Sequence, residues 1–125
     1  MTQQRRDNHS TEFGLWLRKQ EKIDSRKYGF VTTNIDYVWK NYRTGKYMFI
    51  EEKRYMSDVR FYQKNIFNEI DRACKNDENY CGFYVLKFEK TNPDDGKIYL
   101  NDIEITKEDL FKFLQFDFDY IFQST

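Results

Sequence analysis

Two features of this sequence are placed to do chemistry: an acid inside an apolar run, and an acid two residues ahead of a lysine. Asp36 lies in NIDYVW, a run otherwise suited to burial. A carboxylate placed there needs a hydrogen-bond partner, a metal or a proton. Glu51 and Lys53 fall in YMFIEEK, and strand residues two apart share a face. If the strands of Asp36 and Glu51 pair through the RTGK turn, two carboxylates and one ammonium converge. Such a set suits Mg2+ or Mn2+, hard cations that take carboxylate oxygens and keep several waters. A cation held there activates water and neutralises charge on a phosphate, and a neighbouring lysine can orient or help deprotonate that water.

The rest of the chain must position this set. Ser10 or Thr11 can cap a helix, and Phe13, Trp16, Leu17 and Gln20 follow with helical spacing. The helix is predicted from Thr11 to Glu21, with Arg18, Lys19 and Lys22 near its C-terminal end, where the dipole favours them. Tyr28 to Lys53 reads as three strands in meander order, YGFVTT, NIDYVWKN and YMFIEEK, with RTGK as the last turn. Ser57 and Asp58 are expected to open a second helix, its inner face marked by Tyr62, Ile66, Ile70 and Ala73. CGFYVLKFEK is a strong strand, TNPDDGK a turn and IYLNDIEI a further strand. Thr106 and Asp109 form a capping box for a third helix carrying Leu110, Phe111, Phe113 and Leu114. The apolar tail DFDYIFQST has no assigned place. The order α-β-β-β-α-β-β-α predicts an α/β protein, a mixed sheet flanked by helices.

Length and composition agree with one packed domain. The 125 residues are 39% hydrophobic and 19% aromatic, enough for one core of large side chains. Residues 1–9 are expected to be a loose leader and 10–125 a single domain. The formal net charge is zero, which argues against a polycation that coats nucleic acid. The charge is uneven, however: residues 1–60 hold 13 Lys and Arg against 8 Asp and Glu, and the remainder is the reverse. A basic first half can face phosphates. Cys74 and Cys81 fit no zinc spacing, and His9 is the single histidine. Two thiols suggest reduced residues and a cytoplasmic location, and no segment is apolar enough to span a membrane.

Asp36 followed by Glu51-Glu52-Lys53, set within this order of elements, resembles the PD-(D/E)XK motif of restriction-type nucleases. The likeness covers residues 11–88, and Ile35 stands where the motif has proline. It implies a restriction-endonuclease-like αβββαβ core. It also implies that Asp36 and Glu51 bind Mg2+ or Mn2+, with the Glu52 main-chain carbonyl beside them, and that Lys53 assists the attacking water. Glu12 matches a glutamate that many members carry near the metal, and Gln63 matches a glutamine on the helix after the lysine strand. The resemblance implies hydrolysis of DNA phosphodiesters, with RNA as the other substrate to consider. The small size is similar to that of Holliday-junction-resolvase-type members, so a homodimer is expected. Lys22, Arg26, Lys27 and Arg54 are candidate phosphate contacts.

Competing readings are specific. Pro93 to Lys97, PDDGK, spells the same motif but reads as a turn, and its adjacent acids cannot come from two strands. Residues 51–54 could instead be a solvated strand end, and Asp36 could bond a turn backbone. The domain could also bind nucleic acid or protein without cutting it.

Overall fold

A computed structural model describes residues 11–119. The expected loose leader, His9 and the end of the tail lie outside them. The chain divides into two compact units, residues 1–33 and 34–125.

In the first unit, α1 spans Glu12–Arg18, and the Thr11 hydroxyl accepts the Gly14 N–H at 3.0 Å. The predicted cap is therefore present, although the helix stops a turn early. After a 3-10 turn at Glu21–Ile23, a second short helix, α2, spans Ser25–Tyr28. This corrects the expectation of a strand from Tyr28. Asp24 caps α2 by accepting the Lys27 N–H at 3.0 Å, and Gly29 ends it at φ 81. That left-handed conformation is open to glycine at little cost. The β-prone residues that follow, 30–33, form no strand. A capped turn decided the local conformation.

The second unit is a mixed sheet in the order β1-β2-β3-β4-β5. β1 (Tyr37–Lys40) and β2 (Tyr47–Lys53) are antiparallel, with Tyr37 opposite Ile50 and Trp39 opposite Met48. Their turn closes where Asn41 Oδ1 accepts the N–H groups of Arg43 and Thr44 and Gly45 turns at φ 86. α3 (Phe61–Cys74) then carries the chain to β3 (Tyr80–Phe88), which lies parallel to β2 with Glu51 opposite Val85 and Lys53 opposite Lys87. Parallel neighbours require such a crossover.

α3 starts later than expected. Residues 57–60 form a loop, and the helix begins after Arg60, with Gln63 Oε1 accepting the Arg60 N–H at 3.2 Å. Its inner face is also displaced. Phe67 is buried and stacks on Phe83 at 4.5 Å, whereas Ala73 is exposed.

IYLNDIEI is two strands, not one: β4 (Ile98–Leu100) and β5 (Ile103–Ile105). Asn101 and Asp102 link them with φ of 48 and 70. Consecutive left-handed residues make the two-residue hairpin that Asn and Asp favour. PDDGK is a turn, as read: the Asp95 carboxylate accepts the N–H groups of Thr91 and Asn92. The Thr106–Asp109 capping box opens α4 (Lys107–Leu114), with both bonds at 3.0 Å.

The two faces of the sheet differ. One packs on α4 through Met48, Ile50, Leu86, Phe88, Leu110 and Phe113, joined by Phe116 and Phe118 from the tail. The other carries Phe49, Glu51 and Lys53 of β2 and Phe83, Val85 and Lys87 of β3, by alternation and register. The aromatics at the start of these strands pack under α3. The charged residues occupy their ends.

Candidate functional site

Two charged side chains are buried among the described residues, Glu51 (4% exposed) and Lys87 (8%), both on the α3 face. Glu51 sits at the end of β2, which has a strand on either side. Its carboxylate meets the Asp36 backbone N–H and lies 3.6 Å from Lys53 Nζ. Its Oε1 is buried without a hydrogen-bond partner. Burial, then the neighbouring Asp36 charge, raise the Glu51 carboxyl from 4.5 to about 7, against the pull of Lys53. An oxygen in this position holds a proton or wants a cation.

Asp36 precedes β1, where continued pairing puts it opposite Glu51. Its Oδ2 accepts the Glu52 N–H at 2.8 Å. The structure thus brings Asp36, Glu51 and Lys53 together. The expectation that Asp36 lies in a buried run is corrected: Asp36 and all of β1 are exposed. β1 is an edge strand of the sheet, so the buried carboxylate is Glu51.

The remaining candidates are placed as follows. The Glu52 side chain points to the opposite face, where Tyr37 OH donates to its Oε1 at 3.0 Å and Arg54 Nε lies 4.0 Å away. Only its main chain faces the Asp36 ladder. Gln63 is half-buried in the first turn of α3, engaged with the Arg60 N–H. Glu12 is exposed in the first turn of α1, in the other unit. Lys22, Arg26 and Lys27 are exposed in that unit too, and Lys27 pairs with Glu21 at 2.5 Å. Arg54 is exposed immediately after Lys53.

Lys87 was missed. It lies opposite Lys53 on the neighbouring strand, and its ammonium reaches Asp58 at 2.5 Å and Asp102 at 3.0 Å. Both carboxylates favour its charged form and raise it above the ordinary lysine value, against its burial. The signal was present in the sequence. A lysine inside FYVLKF is as anomalous as an aspartate inside NIDYVW.

The donor set fits a hard cation. Among the described residues no three His, Cys, Asp or Glu side chains gather into a cage. A cation here would rest on the Asp36 and Glu51 carboxylates and on water, which is how Mg2+ is usually held. The orphaned Glu51 Oε1 is the atom that such an ion would satisfy.

Fold and cluster together define an α/β protein whose five-stranded mixed sheet carries a two-carboxylate, one-lysine centre at the end of β2, beside the start of the edge strand β1. No family model matches the chain, and no solved structure gives a significant match. A protein of Archaeoglobus fulgidus named as uncharacterized is 32% identical, with 70% of each chain covered. The chain belongs to the family of that archaeal protein. Among the described residues no helix is long and apolar enough to cross a membrane.

Proposed function

We propose that this protein is a Mg2+- or Mn2+-dependent nuclease of the PD-(D/E)XK type that hydrolyses phosphodiester bonds in DNA. The observation that carries the reading is Glu51: a buried carboxylate with an unsatisfied oxygen, beside a second carboxylate and a lysine. A stability-only role for such a group is poor, because an unsatisfied buried oxygen costs free energy. Hydrolysis joins a water oxygen to phosphorus and breaks the bond to one sugar oxygen. The water gives up one proton and the leaving oxygen takes one up. Asp36 and Glu51 would hold the cation, which supplies positive charge to the phosphate. Lys53, 3.6 Å from Glu51, stands where it can orient the water and offset the charge that develops.

The restriction-endonuclease-like core belongs to the same proposal. Its support is the sequence of parts in the second unit: the acid ahead of β1, the Glu-x-Lys end of β2, the α3 crossover and the parallel β3. The absent strand before Asp36 departs from the αβββαβ order.

The test is cleavage of supercoiled plasmid, linear duplex, four-way-junction and single-stranded DNA in Mg2+, Mn2+ or EDTA. Lys53→Ala and Asp36→Ala serve as controls. Metal-dependent cutting that both substitutions abolish is the expected result. Folded wild type that cuts none of these substrates in Mn2+ would refute the DNA nuclease and turn the assay to RNA, and failure there too would favour a non-cutting binding module.

A further inference from the structure

Large apolar side chains turn to solvent where the chain leaves the candidate centre, one in the loop between β2 and α3 and one at the first position of α3. Tyr55 is 68% exposed and Phe61 80%. Neither is loose backbone. The Tyr55 N–H bonds to the Lys90 oxygen at 2.9 Å and the Met56 N–H to the Phe88 oxygen at 3.1 Å. Asp58 reaches Lys87 at 2.5 Å. Three ties therefore fix this loop to the end of β3, where Lys87 lies opposite Lys53.

Tyr55 and Met56 hold φ of 55 and 58. Two consecutive non-glycine residues in the left-handed region are unfavourable, and such strain persists where surrounding contacts impose it. The exposed tyrosine two residues past Lys53 is thus held at a cost by a pinned backbone.

Charge points to the occupant. Residues 34–125 carry 14 Lys and Arg against 17 Asp and Glu, so this unit is acidic. Residues 53–64 are the reverse, with four cations and one acid. That acid, Asp58, is tied to Lys87; Lys53 faces Glu51 and Arg54 Nε lies 4.0 Å from Glu52, while Arg54, Arg60 and Lys64 are exposed. Exposed rings set among cations in an acidic unit match a ligand with flat apolar faces strung on an anionic backbone. Bases that are paired and stacked in a duplex cannot offer those faces; unpaired bases can.

We infer that the β2–α3 loop and the start of α3 form a docking surface for unpaired nucleotides, with Tyr55 and Phe61 stacking on bases while Arg54 and Arg60 meet the phosphates. The inference rests on the proposed nuclease reading for its role in cutting, but not for binding. It narrows the substrate to nucleic acid with a single-stranded segment beside the scissile bond, and sets aside continuous duplex.

The test is fluorescence anisotropy of labelled dT12 and of a blunt 12-base-pair duplex in EDTA, where no cutting occurs. Proteins compared are wild type, Tyr55→Ala, Phe61→Ala and Phe61→Tyr. Both rings are exposed, so alanine removes little packing, and circular dichroism checks the fold. Wild type should prefer dT12. Each ring-to-alanine change should weaken dT12 binding by roughly 5- to 150-fold, the range set by one stacked base. Phe61→Tyr should retain binding. Equal or tighter binding of the duplex, or unchanged affinity in both alanine variants, overturns the inference. The two readings fail separately. Ring-dependent dT12 binding without cleavage leaves this surface and removes the nuclease, whereas duplex cleavage indifferent to the rings does the opposite.

Discussion

Replacing Glu51 with glutamine should make the apo protein more stable at pH 8. The side chain keeps its size and loses its charge. In the folded protein the carboxyl is raised from 4.5 to about 7 by burial and by Asp36. Between those values the folded state keeps a proton that the unfolded chain has released. Stability therefore falls as pH rises through this window, and the full penalty is present above pH 7. A shift from 4.5 to about 7 corresponds to on the order of 3 kcal/mol. Glu51 is only 4% exposed, so little of that is lost to solvent screening. Urea denaturation in EDTA at pH 4, 6 and 8 measures it. Wild type and Glu51→Gln should be similar at pH 4 and diverge toward pH 8, the variant gaining up to roughly 3 kcal/mol. Mg2+ at pH 8 should close the gap by stabilising wild type alone. A variant less stable than wild type at pH 8, or one with the same pH profile, would refute the assignment of Glu51 as a strained, metal-seeking carboxylate.

Other outcomes follow from the same geometry. Mg2+ binding should tighten from pH 6 to pH 8 and release protons, because the cation competes with the proton on Glu51; calorimetry in two buffers of different ionisation enthalpy reads the release. Lys87→Met should lower Tm less than the double change Asp58→Asn with Asp102→Asn. The first leaves two solvated carboxylates, whereas the second leaves a buried ammonium without a counterion. Thr106→Ala removes the acceptor for the Asp109 N–H and should cost about 1 kcal/mol in denaturant unfolding.

Much of the centre was legible because strand geometry is local. Glu51 and Lys53 share a face through the two-residue repeat, and the Asn41-Tyr42-Arg43-Thr44-Gly45 turn is enough to fold the Asp36 strand back on them. Helix caps were legible for the same reason: Thr11 and Thr106 each bond a backbone N–H three residues on.

What sequence alone misread depended on competition and on neighbours. Residues 25–28 became a helix because Asp24 and Gly29 cap it at both ends, despite a β-prone run behind. Which carboxylate is buried was settled by strand order. Asp36 adjoins an edge strand and stays exposed, while Glu51 lies between β1 and β3 and loses its water. Lys87 shows the same limit. Its charge in a buried run was visible, but its partners Asp58 and Asp102 lie 29 and 15 positions away along the chain. The sequence determined which groups could do chemistry and which face they share. Tertiary structure alone decided which of them is desolvated, because burial depends on what packs beside a strand and no local pattern encodes that neighbour.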